Sequence, residues 1–248
     1  AAARLRRLSE DAEIIIFERT AYVSYANCGL PYYIGGEITE KGDLTLQTPE
    51  SFRKWFAVDV RTCHEVIRIR PSEKIIEVKN LSDDTVYTET YDKLILSPGA
   101  KAALPPAFGL DCKNIFTVRT VEDALSIRQF IEEKKPKTAV IIGGGFIGLE
   151  TAENLVRAGV SPTIILRGDQ VMPTLDADMA SGLHNYLCKN GVSLRFRETL
   201  EGFTEEDGSL LVHLKDKKPL YSDMVILAVG VVPDTNLARE AGLDLGAK

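Results

Sequence analysis

The sequence predicts an α/β protein of two units, each a three-layer arrangement of helices about a parallel sheet with a small antiparallel meander attached. Three observations carry this reading. Five short apolar runs, EIIIFE (13–18), KLILSPG (93–99), TAVIIGGG (138–145), TIILRG (163–168) and DMVILAVG (223–230), alternate with helix-like segments. They read as strands buried on both faces, as parallel strands are. Two stretches, 58–92 and roughly 193–221, show partial alternation broken by polar turns and read as meanders. Between the halves, KAALPPAFGLDC (101–112) has adjacent prolines and no period, so a linker divides the units.

The elements follow in order. ARLRRLS (3–9) reads as the end of a helix leading into strand 13–18. A parallel unit calls for an earlier strand and turn, so the first unit is expected to be incomplete, and AGLDLGAK at the far end closes nothing. Thr120 and Asp123 have the spacing of a capping box, opening a helix that runs to about Lys135, before Pro136. Strand 138–142 starts the second unit. Its meander turns at EEDGS (205–209) and precedes a buried strand at 223–229. The expected segments are 1–104, a linker at 105–118, 119–230, and 231–248 as the start of a return to the first unit.

Composition narrows the function classes. The 248 residues are 44% hydrophobic and 27% charged, with a net charge of -6 and no basic block, which argues against nucleic acid or an anionic membrane as partner. No apolar run approaches the roughly 20 residues of a membrane span, and the N-terminal residues lack a signal core, so a cytoplasmic protein acting on small ligands is expected. Cys28, Cys63, Cys112 and Cys188 lie far apart without a C-x-x-C pair, against both a disulfide framework and a zinc site.

VIIGGGFIGLE holds G-x-G-x-x-G as Gly143, Gly145 and Gly148, directly after a strand and directly before a helix ending near Arg157-Ala158-Gly159. In that context Gly143 permits the turn, Gly145 lets backbone approach a pyrophosphate and Gly148 lets helix pack on strand. A tight glycine turn without ligand is the alternative. Phe146, Ile147 and Glu150 on the following helix and Gly230 after the last strand complete the expected cofactor site. An acidic residue normally follows some twenty positions on to grip a ribose. Leu166 stands there, followed by Arg167, with Asp169 beyond. A missing carboxylate beside an arginine favours a 2′-phosphate and hence NADPH over NADH, while Asp169 remains within reach of a ribose and Arg167 has a plain solvated reading. In the first half, Glu18 ends its strand where a second dinucleotide fold would place a ribose ligand.

With these features the sequence resembles the pyridine nucleotide-disulfide oxidoreductase superfamily along its whole length, as two Rossmann-like FAD- and NAD(P)-binding units. The single cysteine in FERTAYVSYANCGLPYYIGGEI is similar to the subgroup of coenzyme A disulfide reductases, NADH oxidases and persulfide reductases, and YDKLILSPGA and DMVILAVGVVPDTNLA resemble its two domain crossings. The resemblance implies FAD as well as NADPH or NADH, Glu18 on the FAD ribose, Cys28 as redox cysteine, and Arg7, Ser24 and Asn27 lining the substrate site. It also implies a homodimer for the full-length protein and a flavin loop ahead of residue 1, so this chain alone is expected to bind FAD poorly.

Relatives of the glutathione type use two cysteines separated by four residues. Tyr33 occupies that second position, so the partner sulfur must come from a substrate as a mixed disulfide, or Cys28 must cycle through sulfenic acid. CGLPYYIGG is expected to form a helix with Cys28 near its first turn, where the dipole favours thiolate. The implied activity is reduction of coenzyme A disulfide or a related persulfide. The alternatives are an NADH oxidase or peroxidase and a flavin-free, non-catalytic nucleotide-binding fragment in which Cys28 is inert. Cys63, Cys112 and Cys188 read as packing or surface thiols, His64 as structural, and Tyr32 and Tyr33 as core of the short helix.

Overall fold

The computed structural model describes residues 1–206 and 208–246, so Asp207 of the expected 205–209 turn and the last two residues of segment 231–248 lie outside the described residues. The chain forms two compact units. Ala1–Ala26, Thr45–Ala100 and Pro233–Lys248 make the first, and Asn27–Leu44 with Lys101–Val232 make the second.

The first unit opens with α1 (Ala2–Leu8), the helix expected at 3–9, and β1 (Ile15–Glu18). A short antiparallel pair, β2 (Ser24–Tyr25) with β3 (Thr45–Gln47), skips over the segment that belongs to the second unit. The second-unit helix within that segment is α2 (Leu30–Ile34). Next, α3 (Pro49–Phe56) starts at a capping box in which Thr48 Oγ1 accepts from the Ser51 N–H at 3.2 Å and Ser51 Oγ accepts from the Thr48 N–H at 2.9 Å. Then β4 (Asp59–Thr62) runs parallel to β1, with Glu18 opposite Thr62. This corrects the reading of 58–92 as one meander. Cys63, at φ 57°, turns the chain out of β4, and only β5 (His64–Arg70), β6 (Ile75–Asn80) and β7 (Val86–Thr90) form the antiparallel sheet.

Two cores hold this unit. Ile14, Val58 and Val60 pack with Ile16, Phe52 and Phe56. Ile69, Ile76 and Val78 pack with Phe17, Leu96 and, from α7 (Asn236–Glu240), Leu237. The run 93–99 is not a strand, contrary to expectation, and Leu94 and Ile95 are 39% and 65% exposed. An apolar run becomes a parallel strand only beside a ladder that takes up its N–H and C=O groups, and among the described residues no strand pairs with it.

In the second unit β8 (Ala100–Ala102) leads in, and the residues read as linker, 105–118, include β9 (Ile115–Thr117). Then come α4 (Val121–Lys134), β10 (Thr138–Ile142), α5 (Phe146–Arg157), β11 (Ser161–Ile165), α6 (Ala177–Lys189) and β12 (Ser193–Arg195). β13 (Leu200–Glu206), β14 (Ser209–Leu214) and β15 (Leu220–Ser222) make the antiparallel meander, and β16 (Met224–Leu227) and β17 (Val231–Pro233) close the series. The capping box of α4 forms as the sequence predicts, Thr120 Oγ1 accepting from the Asp123 N–H at 3.2 Å and Asp123 Oδ2 from the Thr120 N–H at 3.1 Å.

The main sheet is parallel throughout, in the spatial order β12-β11-β10-β16-β9. β12 therefore belongs to it and not to the meander expected from residue 193, because its residues pair with Thr163, Ile164 and Ile165. Val140, Ile142, Ile165, Val225 and Leu227 of this sheet pack against Phe203, Leu210, Val212 and Leu214 of the meander strands in one buried cluster. From β10 the chain goes to β11 on one side, and the later β16 lies on the other. That reversal opens a crevice beyond the carboxyl ends of β10 and β16, where doubly wound sheets bind ligands.

Candidate functional site

The glycine loop lies in that crevice. β10 gives way to Gly143, whose φ of 114° only glycine adopts without strain, and Gly145 caps α5 with no side-chain hydrogen bond. A Cβ on Gly143 would stand 2.4 Å from the Ala228 carbonyl oxygen, and one on Gly148 2.2 Å from the Gly143 carbonyl oxygen. These two glycines let strand, loop and helix touch. A Cβ on Gly145 would meet nothing within 4 Å, so the cradle stays open above it. The first α5 ladder bond is Leu149 N–H to Gly145 C=O at 3.0 Å, which leaves the N–H groups of the preceding turn outside the helix ladder. An open glycine cradle at the positive end of a twelve-residue helix suits a phosphate-bearing ligand. Phe146 is 71% exposed at the rim, Ile147 and Glu150 are half-buried on α5, and Gly230, at φ 121°, ends the adjacent crossing.

Leu166 is not free to be replaced by a ligand contact, because it is buried beneath the loop. A Cβ on Gly144 would meet its Cδ2 at 2.3 Å. Arg167 and Asp169 are exposed past the end of β11. Asp169 is engaged by Arg197, Oδ2 to Nη2 at 3.6 Å.

Cys28 sits in a 3-10 turn, Asn27–Gly29, ahead of α2. Cys28 stands near the first turn of a helix, as the sequence predicts, without being part of it: α2 is only five residues long and begins two residues later, where buried Leu30 and Pro31 anchor its start. Cys28 and Asn27 are both exposed. The turn, and α2 with the residues just after it, are tied down by residues that no local pattern marks. Arg119 Nη1 reaches Asn27 Oδ1 at 3.4 Å, and Arg128 Nη1 donates to the Tyr33 carbonyl at 2.9 Å with its guanidinium over the Tyr33 ring at 5.7 Å. Arg157 pairs with Glu37, and buried Asn154 lies so close to Gly35 that a Cβ there would meet its Oδ1 at 2.4 Å. Tyr32 and Tyr33 are half-exposed, so Leu30, Pro31 and Ile34 form the core of the helix in their place.

The remaining candidates belong to the first unit. Glu18 ends β1 half-buried, its Oε1 accepting from the Thr20 N–H at 2.8 Å. Ser24 lies opposite Gln47 in the β2–β3 pair. Arg7 is exposed on α1, while its neighbour Arg6 is structural, donating to the carbonyls of Phe56 and Ala57 at 2.9 Å each. His64 is also structural, Nδ1 at 2.7 Å from the Thr62 carbonyl and its ring edge-on to Tyr87. Of the other thiols, Cys112 packs 3.8 Å from the Phe203 carbonyl, and burial, with Glu205 and Asp111 nearby, pushes its pKa up. Among the described residues no cluster of His, Cys, Asp or Glu is placed to hold a metal ion, and no helix is long and apolar enough to cross a membrane.

The family model described as pyridine nucleotide-disulphide oxidoreductase matches residues 1–248. A coenzyme A disulfide reductase of Staphylococcus aureus strain JH9 is 35% identical over 247 residues, 100% of this chain and 55% of the relative. The crystal structure of reduced Bacillus anthracis CoADR-RHD superposes with a TM-score of 0.95 at 47% identity, over 99% of this chain and 44% of the other. An engineered water-forming NADPH oxidase bound to NADPH, made from the Lactobacillus brevis NADH oxidase, superposes at 0.91 with 28% identity, over 99% of this chain and 55% of the other. Its substitutions replace a glycine with alanine and, 18 positions on, an aspartate with alanine and the next alanine with arginine. The chain spans about half the length of these proteins.

Proposed function

The chain belongs to the pyridine nucleotide-disulphide oxidoreductase family, and from that premise we propose that the whole protein reduces a small disulfide, coenzyme A disulfide above all, through a mixed disulfide on Cys28. The observation that carries the reading is one exposed thiol at the head of α2 with Tyr33 where a second cysteine would close an internal disulfide. As thiolate, Cys28 attacks one sulfur of the substrate; the substrate S–S bond breaks, a Cys28–S–S–R bond forms, and the first thiol leaves. Two electrons and a proton then release the second thiol and return Cys28 to thiolate. Bound flavin and nicotinamide supply hydride transfer and those two electrons. The residues present suit both groups: the Gly143–Gly148 cradle for the pyrophosphate of the nicotinamide dinucleotide, with Phe146, Ile147, Glu150 and Gly230 around it, and Glu18 for a flavin ribose. Arg119 holds the thiol turn and Arg128 the helix after it, while Asn27 and Ser24 offer polar contacts and Arg7 a cation for a substrate phosphate.

Leu166 and Arg167 favour NADPH. They follow Gly148 at the interval found in the engineered NADPH oxidase, where apolar-then-basic replaces aspartate-then-alanine. The same neighbour supports a second reading, an oxidase in which Cys28 cycles through sulfenic acid. NADPH consumption by the complete protein with coenzyme A disulfide in the absence of oxygen, against consumption with oxygen alone, separates the two. Cys28→Ser is expected to keep flavin reduction by NADPH and to abolish disulfide turnover. Unchanged turnover would sink the assignment.

A further inference from the structure

We propose that Arg197 is a second determinant of NADPH preference, one that the engineered substitutions above do not include, and that Asp169 works against it. This rests on the reading of the glycine loop as a nucleotide site.

β11 and β12 are parallel neighbours, so their carboxyl ends open on the same side as the loop after β10. Past those ends the two connections are stitched together: the Arg197 N–H donates to the Gly168 carbonyl at 2.9 Å, and the Glu198 N–H to the Leu166 carbonyl at 2.9 Å. That pairing sets Arg197 beside the Arg167-Gly168-Asp169 stretch, at the place where the far ribose of a dinucleotide reaches the second strand. Arg197 takes φ 56°, a conformation uncommon for a side-chain-bearing residue, and its side chain is 79% exposed. The other arginine of the segment, Arg195, is committed elsewhere, its Nε and Nη2 on Glu198 Oε1 at 2.9 and 2.8 Å. Arg167 and Arg197 are thus the cations presented here to a dianion, and two guanidinium groups match a phosphate monoester better than one.

Asp169 is the competing anion. Its contact with Arg197 is long and both side chains are mostly exposed, so the pair holds Arg197 weakly, while its charge repels a phosphate. A carboxylate on the ribose hydroxyls would instead favour NADH; Asp169, turned toward Arg197, is not set for that role.

The test compares binding of 2′,5′-ADP and 5′-AMP to the purified chain by titration calorimetry, which requires neither flavin nor turnover. Wild type is expected to prefer 2′,5′-ADP, increasingly so at low salt. Arg197→Asn, chosen because asparagine tolerates positive φ, is expected to weaken 2′,5′-ADP about tenfold and 5′-AMP less than about twofold, the size of one lost charge-assisted contact. Arg197→Lys falls between. Asp169→Asn is expected to tighten 2′,5′-ADP about twofold to fivefold. No 2′-phosphate preference in wild type, an unchanged ratio in Arg197→Asn, or equal loss of both ligands overturns the role of Arg197, and weaker 2′,5′-ADP binding in Asp169→Asn overturns that of Asp169. Retained 5′-AMP binding in those cases would leave the glycine-loop reading standing; loss of 5′-AMP binding from wild type would end both.

Discussion

Two strands of this protein end at the same point of the same motif and use that point in opposite ways. β1 ends in Glu18, half-buried, with its carboxylate steadied by the Thr20 N–H. β11 runs on into Leu166, buried and pressed beneath Gly144. A position that carries a half-buried carboxylate in one unit is spent on packing in the other. Strand topology therefore fixes where the strand end lies, and the residue there decides whether the wall is polar or closed.

This contrast breaks most sharply at Leu166. Leu166→Ala removes the side chain that supports the loop and is expected to cost about 2–5 kcal/mol of stability, seen as a lower denaturant midpoint together with weaker nucleotide binding. A variant as stable as wild type would mean that the leucine is no more than a missing carboxylate. At the opposite end of the same sheet, Asp223 Oδ2 accepts from the N–H groups of Lys137 and Thr138 at 2.7 and 2.9 Å. Partial burial works against its charge, but these bonds, the Thr138 hydroxyl and the Lys137 charge outweigh it and hold the carboxyl below its usual range. Its contribution is present above the unfolded pKa of about 4 and is lost as pH falls through the depressed folded value. Asp223→Ala is expected to cost about 1–2 kcal/mol at neutral pH, with the gap to wild type closing in acid; a gap independent of pH would show that charge is not involved.

The reciprocal change in the first unit has a smaller effect on the fold and a visible one on the ligand. Glu18→Leu in the complete protein is expected to cost under about 1 kcal/mol of stability, while FAD affinity falls about tenfold, the size of one charge-assisted hydrogen bond. Flavin retained through gel filtration as in wild type would remove Glu18 from the site. Thr120→Ala, which deletes one half of the α4 capping box, touches the fold alone and is expected to cost about 1 kcal/mol without altering nucleotide affinity.

What the chain alone reveals divides along physical lines. The parallel sheet was legible from apolar runs at 138–142 and 223–229, the cradle from three glycines in a strand-to-helix context, and the α4 start from Thr120 and Asp123, because each signal is local. The run 93–99 misled because apolarity without period does not say whether a neighbour strand exists. Leu166 read as an absence, since only the fold shows Gly144 resting on it. The anchors of the thiol turn and of α2 with the residues just after it, Arg119, Arg128, Asn154 and Arg157, lie about 90 to 120 positions from the residues they hold and leave no periodic trace. Arg197 likewise leaves no local signal, its place beside Gly168 being set by a backbone bond.

The four cysteines provide their own measuring device. Cys28 and Cys188 are exposed, Cys63 and Cys112 half-buried, and burial, with Glu205 and Asp111 nearby, pushes the Cys112 thiol pKa up. An alkylating reagent in the native state therefore reports on two sites at once. Cys188, exposed on α6, is an internal clock for an ordinary surface thiol, and the ratio of labelling at Cys28 to labelling at Cys188 measures how far the Cys28 thiol is activated without any substrate, cofactor or assay of turnover.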